Sequence, residues 1–97
     1  MFGNSSSNIY LSGGVLHATC KDSNGNDHHS TLNLNDYIGN IEGTLTWGFD
    51  NFTASSSDIS LNGTVLSATC QDSNGGSHHS SLNLNQYICN NEGTLEG

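Results

Sequence analysis

The sequence predicts an all-β fold made of two tandem, pseudo-symmetric repeats that share one core. Three observations carry this. Residues 2–47 align with residues 52–97 at a constant offset and without a gap, and 30 of the 46 aligned pairs are identical, which marks an internal duplication. Short runs alternate apolar and polar residues with a period of two, the pattern of a half-buried strand. Proline is absent while Gly, Ser, Asn and Thr abound, so turns must come from Asn-Gly and Gly-Gly pairs.

The elements follow in order. Ile9 and Leu11 alternate with polar neighbours, as do Leu16, Ala18 and Cys20, and Leu32 and Leu34 alternate with Asn33 and Asn35. Between the second and third runs lies Asp22-Ser23-Asn24-Gly25-Asn26-Asp27. Its Asn-Gly pair, repeated as Asn74-Gly75, predicts a hairpin, because both residue types tolerate positive φ. Asn35-Asp36-Tyr37-Ile38-Gly39 reads as a short helical turn capped by Asn35. Asn40-Ile41-Glu42-Gly43 reads as a turn into a strand Thr44-Leu45-Thr46-Trp47. Each copy thus gives four or five short strands and one helical turn.

The apolar set Ile9, Leu11, Val15, Leu16, Ala18, Cys20, Leu32, Leu34, Tyr37, Ile38 and Leu45 recurs fifty positions on. The differences are mostly polar exchanges, such as Lys21/Gln71, Asp27/Ser77 and Asp36/Gln86. The copies therefore share a core and differ on the surface. A repeat of about fifty residues is marginal as an independent unit, so one core is expected to serve both copies, with room for exchanged strands. The chain reads as a single domain over 1–97, with repeat 1 at about 2–47, a linker at 47–51 and repeat 2 at about 52–97.

Composition excludes several functions. The net charge is −8, and Lys21 is the one basic side chain apart from histidine. Nucleic-acid binding needs cations to replace phosphate counterions, and an anionic membrane surface needs them too, so neither partner is expected. No apolar run reaches the roughly 18 residues of a membrane-spanning helix. The start, Met1-Phe2-Gly3-Asn4-Ser5, has neither a basic nor an apolar leader region. Three cysteines make an odd count for a disulfide framework. Both points favour a reducing, cytoplasmic setting over a secreted one.

No metal, cofactor or catalytic activity is expected. His28-His29 and His78-His79 are adjacent strand residues that point to opposite faces, whereas zinc needs three or four converging ligands. The segment Asp22–Asp27 slightly resembles a calcium loop, but Asp27 stands where glycine is required and Asn33 where a bidentate Glu is needed. No nucleophile elbow or phosphate loop is present. The carboxylates of Glu42 and Asp50 lie in a short turn and a linker rather than a cleft suited to glycoside hydrolysis.

Leu32-Asn33-Leu34-Asn35, then Tyr37-Ile38-Gly39-Asn40-Ile41-Glu42-Gly43-Thr44-Leu45-Thr46-Trp47, then Asn51-Phe52, resemble the cyanovirin-N homology (CVNH) family. So do Leu82-Asn83-Leu84-Asn85 and Asn90-Asn91-Glu92-Gly93-Thr94-Leu95 in the second copy. The resemblance covers essentially the whole chain. It implies two halves, each a three-stranded sheet plus a β-hairpin with short helical turns. It further implies a lectin with a glycan pocket at each end for terminal α1-2-linked mannose, and hence oligomannose glycans and glycoproteins as partners. Monomers and dimers swapped through the linker Trp47-Gly48-Phe49-Asp50-Asn51 both fit, and Phe49 replaces a proline frequent there. The family pattern also joins the first segment of each half by a disulfide to the strand ending at Cys20 or Cys70. The partner positions are Ser6 and Ser56, so neither bridge forms, at an expected cost of a few kcal/mol each. Cys20 and Cys70, inward by alternation, act as small hydrophobes; Cys89 has no cysteine counterpart, since Gly39 stands there.

Sugar hydroxyls both donate and accept, so a site that holds them against water needs amides, carboxylates and backbone groups fixed in a concavity. Carried over from the family, site A comprises Asn4, Ser5, Lys21, Asp22 and Ser23, with Asn90, Asn91 and Glu92 as its third wall. Site B comprises Asn40, Ile41, Glu42, Asp50, Asn51 and Ser55, closed by Gln71, Asp72 and Ser73. Site B departs further from the pattern: Gly39 replaces an acidic residue and Ser73 an arginine, two losses of strong polar contacts. Site A is therefore expected to be the active one. The alternative is a structural or interaction protein that kept the fold with degenerate pockets.

Overall fold

The computed structural model describes residues 2–97. Alternation drives the strands. In β2 (Val15–Lys21), Leu16, Ala18 and Cys20 are wholly buried while Val15, His17 and Thr19 stay half-exposed. β2 is the centre of an antiparallel sheet with β1 (Ser6–Ser12) and β3 (Asp27–Asn33). A β-bulge between Ser7 and Tyr10 puts Asn8 at φ 51°. Next come β4 (Ile38–Ile41) and β5 (Thr44–Trp47), a two-stranded hairpin. Repeat 2 reproduces the set: β6 (Ser56–Asn62), β7 (Val65–Gln71) and β8 (Ser77–Asn83) form the sheet, and β9 (Cys89–Asn91) and β10 (Thr94–Glu96) the hairpin. The expected three-stranded sheet plus hairpin is thus present in each repeat.

The hairpin expected at Asn24-Gly25 is present between β2 and β3; its loop spans residues 22–26, with Gly25 (φ 82°) taking the positive φ and Asn24 not. Asp22 imposes this shape, because its Oδ1 accepts the backbone N–H groups of Asn24 and Asn26, each at 2.9 Å. The helical turn begins one residue early, at Leu34–Asp36, and its cap is Asn33, whose Oδ1 accepts the N–H of Asn35 at 3.1 Å. Ile38–Ile41 is strand rather than turn, with Ile38 buried and paired to Trp47. A second 3-10 turn opens each repeat, at Phe2–Asn4 and Phe52–Ser55, and wholly buries Phe2 and Phe52.

Asn35 ties the repeats together instead of capping. Its Oδ1 accepts from Thr53 N and Oγ1 at 3.1 and 2.9 Å, and its carbonyl accepts from Asn51 N at 2.8 Å. Asn85 does the reciprocal work, accepting from Gly3 N at 2.9 Å. At the start of the linker, Trp47 is stacked between Tyr37 and Tyr87, with centroids 5.3 and 4.9 Å away.

The repeats exchange their hairpins. β4–β5 of repeat 1 packs on β8 of repeat 2, and β9–β10 of repeat 2 packs on β3 of repeat 1. Leu45 N donates to Ser80 Oγ at 3.1 Å, and Leu95 N to Ser30 Oγ at 3.0 Å. Leu45 and Leu95 are only 3% exposed in these positions; truncating either to Ala costs about 2–5 kcal/mol. Gly43 (φ 91°) and Gly93 (φ 93°) turn the hairpins, and a Cβ there would meet the rings of His78 and His28 at 2.5 Å. Only glycine satisfies both the backbone and the contact. The result is a rod of 51 × 20 × 19 Å.

Cys20 and Cys70 are wholly buried, as alternation predicts, and each faces the serine of the adjacent strand: Ser6 Oγ lies 3.3 Å from Cys20 Sγ and Ser56 Oγ 3.4 Å from Cys70 Sγ. The residues are direct cross-strand partners, close enough for a bridge. Ser6→Cys and Ser56→Cys should therefore oxidise spontaneously to disulfides. Each should raise unfolding free energy by about 3 kcal/mol, the value for a loop of this length, read as a shift in the urea midpoint that dithiothreitol abolishes.

Candidate functional site

Hairpin exchange brings the two ends of the chain together. At one end of the rod, the amide of Asn90 on β9 reaches back to repeat 1. Its Nδ2 donates to Ser5 Oγ and to the carbonyl of Lys21, each at 2.9 Å, while its Oδ1 accepts from Gly93 N at 2.9 Å. One residue into the turn, Glu92 holds φ 50°. Its Oε1 accepts from Ser23 Oγ at 2.7 Å and Ser23 N at 3.2 Å, leaving Oε2 without a partner among the described residues. The separation in sequence is 69 residues.

The other end repeats this wiring. Asn40 Nδ2 donates to Ser55 Oγ at 2.9 Å and the Gln71 carbonyl at 2.8 Å, and Asn40 Oδ1 accepts from Gly43 N at 2.8 Å. Glu42 Oε1 accepts from Ser73 Oγ at 2.8 Å and Ser73 N at 3.3 Å. A shallow depression of about 160 Å³ lies here, lined by Ala54, Ser55, Ser56, Ser57 and Gln71. A larger one of about 340 Å³ lies away from both ends, between Ile9, Leu11, Ile59 and Leu61 of β1 and β6. Tyr10, Gly13 and Ser60 complete its walls, and it includes none of the residues joined by the Asn–Ser–Glu contacts at the two ends.

Of the residues assigned to site A, Ser5, the Lys21 backbone, Ser23, Asn90 and Glu92 are joined directly. Asn4 ends the 3-10 turn just before Ser5 and is exposed. The Lys21 ammonium turns to Asp27 Oδ1 at 2.8 Å, and exposed Asn91 donates to Glu96 Oε2 at 3.3 Å. Of those assigned to site B, Asn40, Glu42, Ser55, Gln71 and Ser73 are joined, and Ile41 is 42% exposed beside them. Asp50 and Asn51 belong to the linker: the Asp50 backbone lies over Gly39, where a Cβ would come within 2.9 Å of its carbonyl oxygen and 2.5 Å of Phe49 Cβ. A side chain at Gly39 would therefore require the linker to shift. Asn51 takes φ 58° at the entry to the 3-10 turn.

Asp22 and Asp72 act within their own loops. Besides its two backbone N–H groups, Asp22 Oδ2 lies 2.7 Å from His28 Nε2, and Asp72 Oδ2 lies 2.7 Å from His78 Nε2. These imidazole contacts, followed by the backbone N–H bonds, hold both carboxyls below the ordinary carboxylate value of 3.8. They fix the loops that present Ser23 and Ser73, and the same histidines sit under Gly93 and Gly43. The sequence places these histidines on strands, pointing to opposite faces, without this role, although the six-residue spacing Asp22–His28, repeated as Asp72–His78, is a visible signal.

A carboxyl whose folded pKa is depressed contributes stability that is present above its unfolded pKa and is lost as pH falls through the folded value. Urea midpoints of the native chain should therefore drop as pH falls from about 4 downward. Asp22→Asn plus Asp72→Asn should lower the midpoint at neutral pH and flatten the acid limb; an unchanged slope would remove these two groups as its cause.

Comparison with known proteins agrees with this architecture. The CVNH domain model matches residues 2–96. The solution structure of a CVNH protein from Gibberella zeae is 40% identical, with TM-score 0.90 over 98% of this chain and 94% of that one. A designed cyanovirin-N homolog lectin is 36% identical, with TM-score 0.91 over 98% and 96%. Microvirin, solved in complex with mannobiose, is 32% identical, with TM-score 0.86 over 98% and 95%. With a family match along nearly its whole length and the same hairpin-plus-sheet halves, this chain belongs to the CVNH family.

Proposed function

We propose that this protein is a lectin for mannose-rich glycans, with terminal α1-2-linked mannose as ligand and one site at each end of the rod. The observation that carries the reading is the duplicated Asn–Ser–Glu wiring, which fixes polar groups from both repeats at each end. Mannobiose on microvirin, a relative with the same fold, supports the sugar class. Within each site the groups divide by role. Both amide hydrogens of Asn90 and of Asn40 are already committed to the protein, so these residues position the walls. Glu92 Oε2, the Ser23 hydroxyl and exposed Asn4 and Asn91 supply the groups for sugar hydroxyls at site A. Site A is the stronger: Asn4, Lys21 and Asn91 stand where site B has Ala54, Gln71 and Ile41. Two sites on one rigid body cross-link branched glycans and gain avidity.

Titration of 15N-labelled protein with α1-2-linked dimannose tests this. Shifts are expected at Asn4, Lys21, Ser23 and Asn90 to Glu92, and more weakly at Asn40 to Glu42 and Gln71 to Ser73. Glu92→Ala should weaken site A by about 10- to 100-fold, the worth of a hydrogen bond to a charged group, without touching site B. No shift at millimolar sugar would overturn the mannose reading and favour a fold retained for another partner.

A further inference from the structure

Repeat 1 carries a histidine pair that repeat 2 lacks. His17 on β2 and His29 on β3 are diagonal neighbours across the strands, since His17 pairs with Thr31 and His29 with Thr19. Their rings meet at the sheet surface, with His17 Nδ1 and His29 Nε2 3.3 Å apart. Tyr10 on β1 stacks on His17 at a centroid distance of 4.6 Å and an interplanar angle of 7°, which fixes the imidazole plane. In repeat 2, Ser60 and Ser67 replace Tyr10 and His17 while His79 is kept.

We propose that His17 and His29 form a surface site for a borderline divalent metal ion, zinc foremost. The distance carries the argument. Two imidazole nitrogens bound tetrahedrally to one zinc at its usual 2.0–2.1 Å lie about 3.3–3.4 Å apart. The two rings are therefore already at the bite of the ion, on strands whose register the sheet holds. In the metal-free pair one facing nitrogen carries the hydrogen of the mutual bond. Moving that hydrogen to the outer nitrogen of its own ring leaves a lone pair on each facing nitrogen, and a small rotation of the tilted rings (interplanar angle 37°) aims both at one ion. Imidazole suits zinc, copper and nickel and not calcium or magnesium. Among the described residues no cluster of three His, Cys, Asp or Glu side chains gathers to hold a metal, so this is a two-imidazole surface site, short of the three or four protein ligands of a structural or catalytic zinc centre, with water completing the shell. Bound zinc clamps β2 to β3. The site lies about four residues from Lys21 along β2, about 13 Å at strand rise, apart from the proposed glycan site.

Zinc titration followed through the ring resonances of all five histidines tests the site, with binding heats giving the stoichiometry. One zinc per chain is expected, with the changes confined to His17 and His29 and a raised melting temperature. His17→Ser copies what repeat 2 carries naturally, so the fold tolerates it. It should weaken zinc at least about tenfold, since the second imidazole acts as an intramolecular ligand, and cancel the thermal shift. His29→Ala should do the same and His79→Ala nothing. Equal shifts at all five rings, or zinc affinity unchanged in His17→Ser, would overturn the proposal. The dimannose titration of His17→Ser should match the parent, so failure here and failure of the lectin reading are separable.

Discussion

Hairpin exchange is the constraint on which the rest of the structure depends. A three-stranded sheet buries one face only if something covers it, and a repeat of about fifty residues has little else to offer. Here each sheet is covered by the other repeat's hairpin, which delivers Leu45 or Leu95 into the core. Neither half is therefore complete without the other, and the apolar cluster running from Phe2 to Leu95 includes buried residues of both repeats. The contact at the exchange point is steric: Gly43 on His78 and Gly93 on His28 leave no room for a side chain.

The same exchange creates the candidate sites. Ser5, Ser23 and Glu92 meet only because β9–β10 crosses to repeat 1. The histidines beneath the turns bind the loop carboxyls from below while the glycine turns press on them from above. Hairpin position and loop shape are thus set by one histidine at each end. A change that loosens the exchange alters both the core and the polar arrangement above it.

Much of the fold was legible in the sequence. The repeat and the period-two runs placed β1 to β3 and their copies, and alternation put Cys20 and Cys70 inside. Errors fell where a single side chain redirects the backbone. Asn33 and Asn35 are both good capping residues, and propensity does not tell which one caps; tertiary bonds from Asn51 and Thr53 claim Asn35. The hairpin signalled by Asn24-Gly25 is present, and what the pair alone does not give is the loop's shape, which Asp22 sets by accepting two loop N–H groups. Ile38 reads locally as part of a helical turn because the pairing that makes it a strand, to Trp47, lies across a second turn. The polar contacts at the two ends were not legible in any local spacing, since they join residues 69 to 85 positions apart at one end and 15 to 31 apart at the other; the candidate sites were assigned through family likeness.

Duplication followed by exchange also explains where the two halves differ. A core position in one repeat packs against elements of both, so a change there must be matched in two environments at once. Phe2, Leu16, Ala18, Cys20, Leu34, Ile38 and Leu45 accordingly have identical counterparts. Surface positions face no such demand. Tyr10/Ser60, His17/Ser67, Lys21/Gln71 and Ile41/Asn91 diverge there, on a backbone that remains the same. Lys21/Gln71 and Ile41/Asn91 flank the polar ends, and Tyr10/Ser60 and His17/Ser67 lie on one sheet face. A pseudo-symmetric scaffold of this kind holds its architecture fixed by mutual packing while its two ends and two sheet faces acquire separate chemistry.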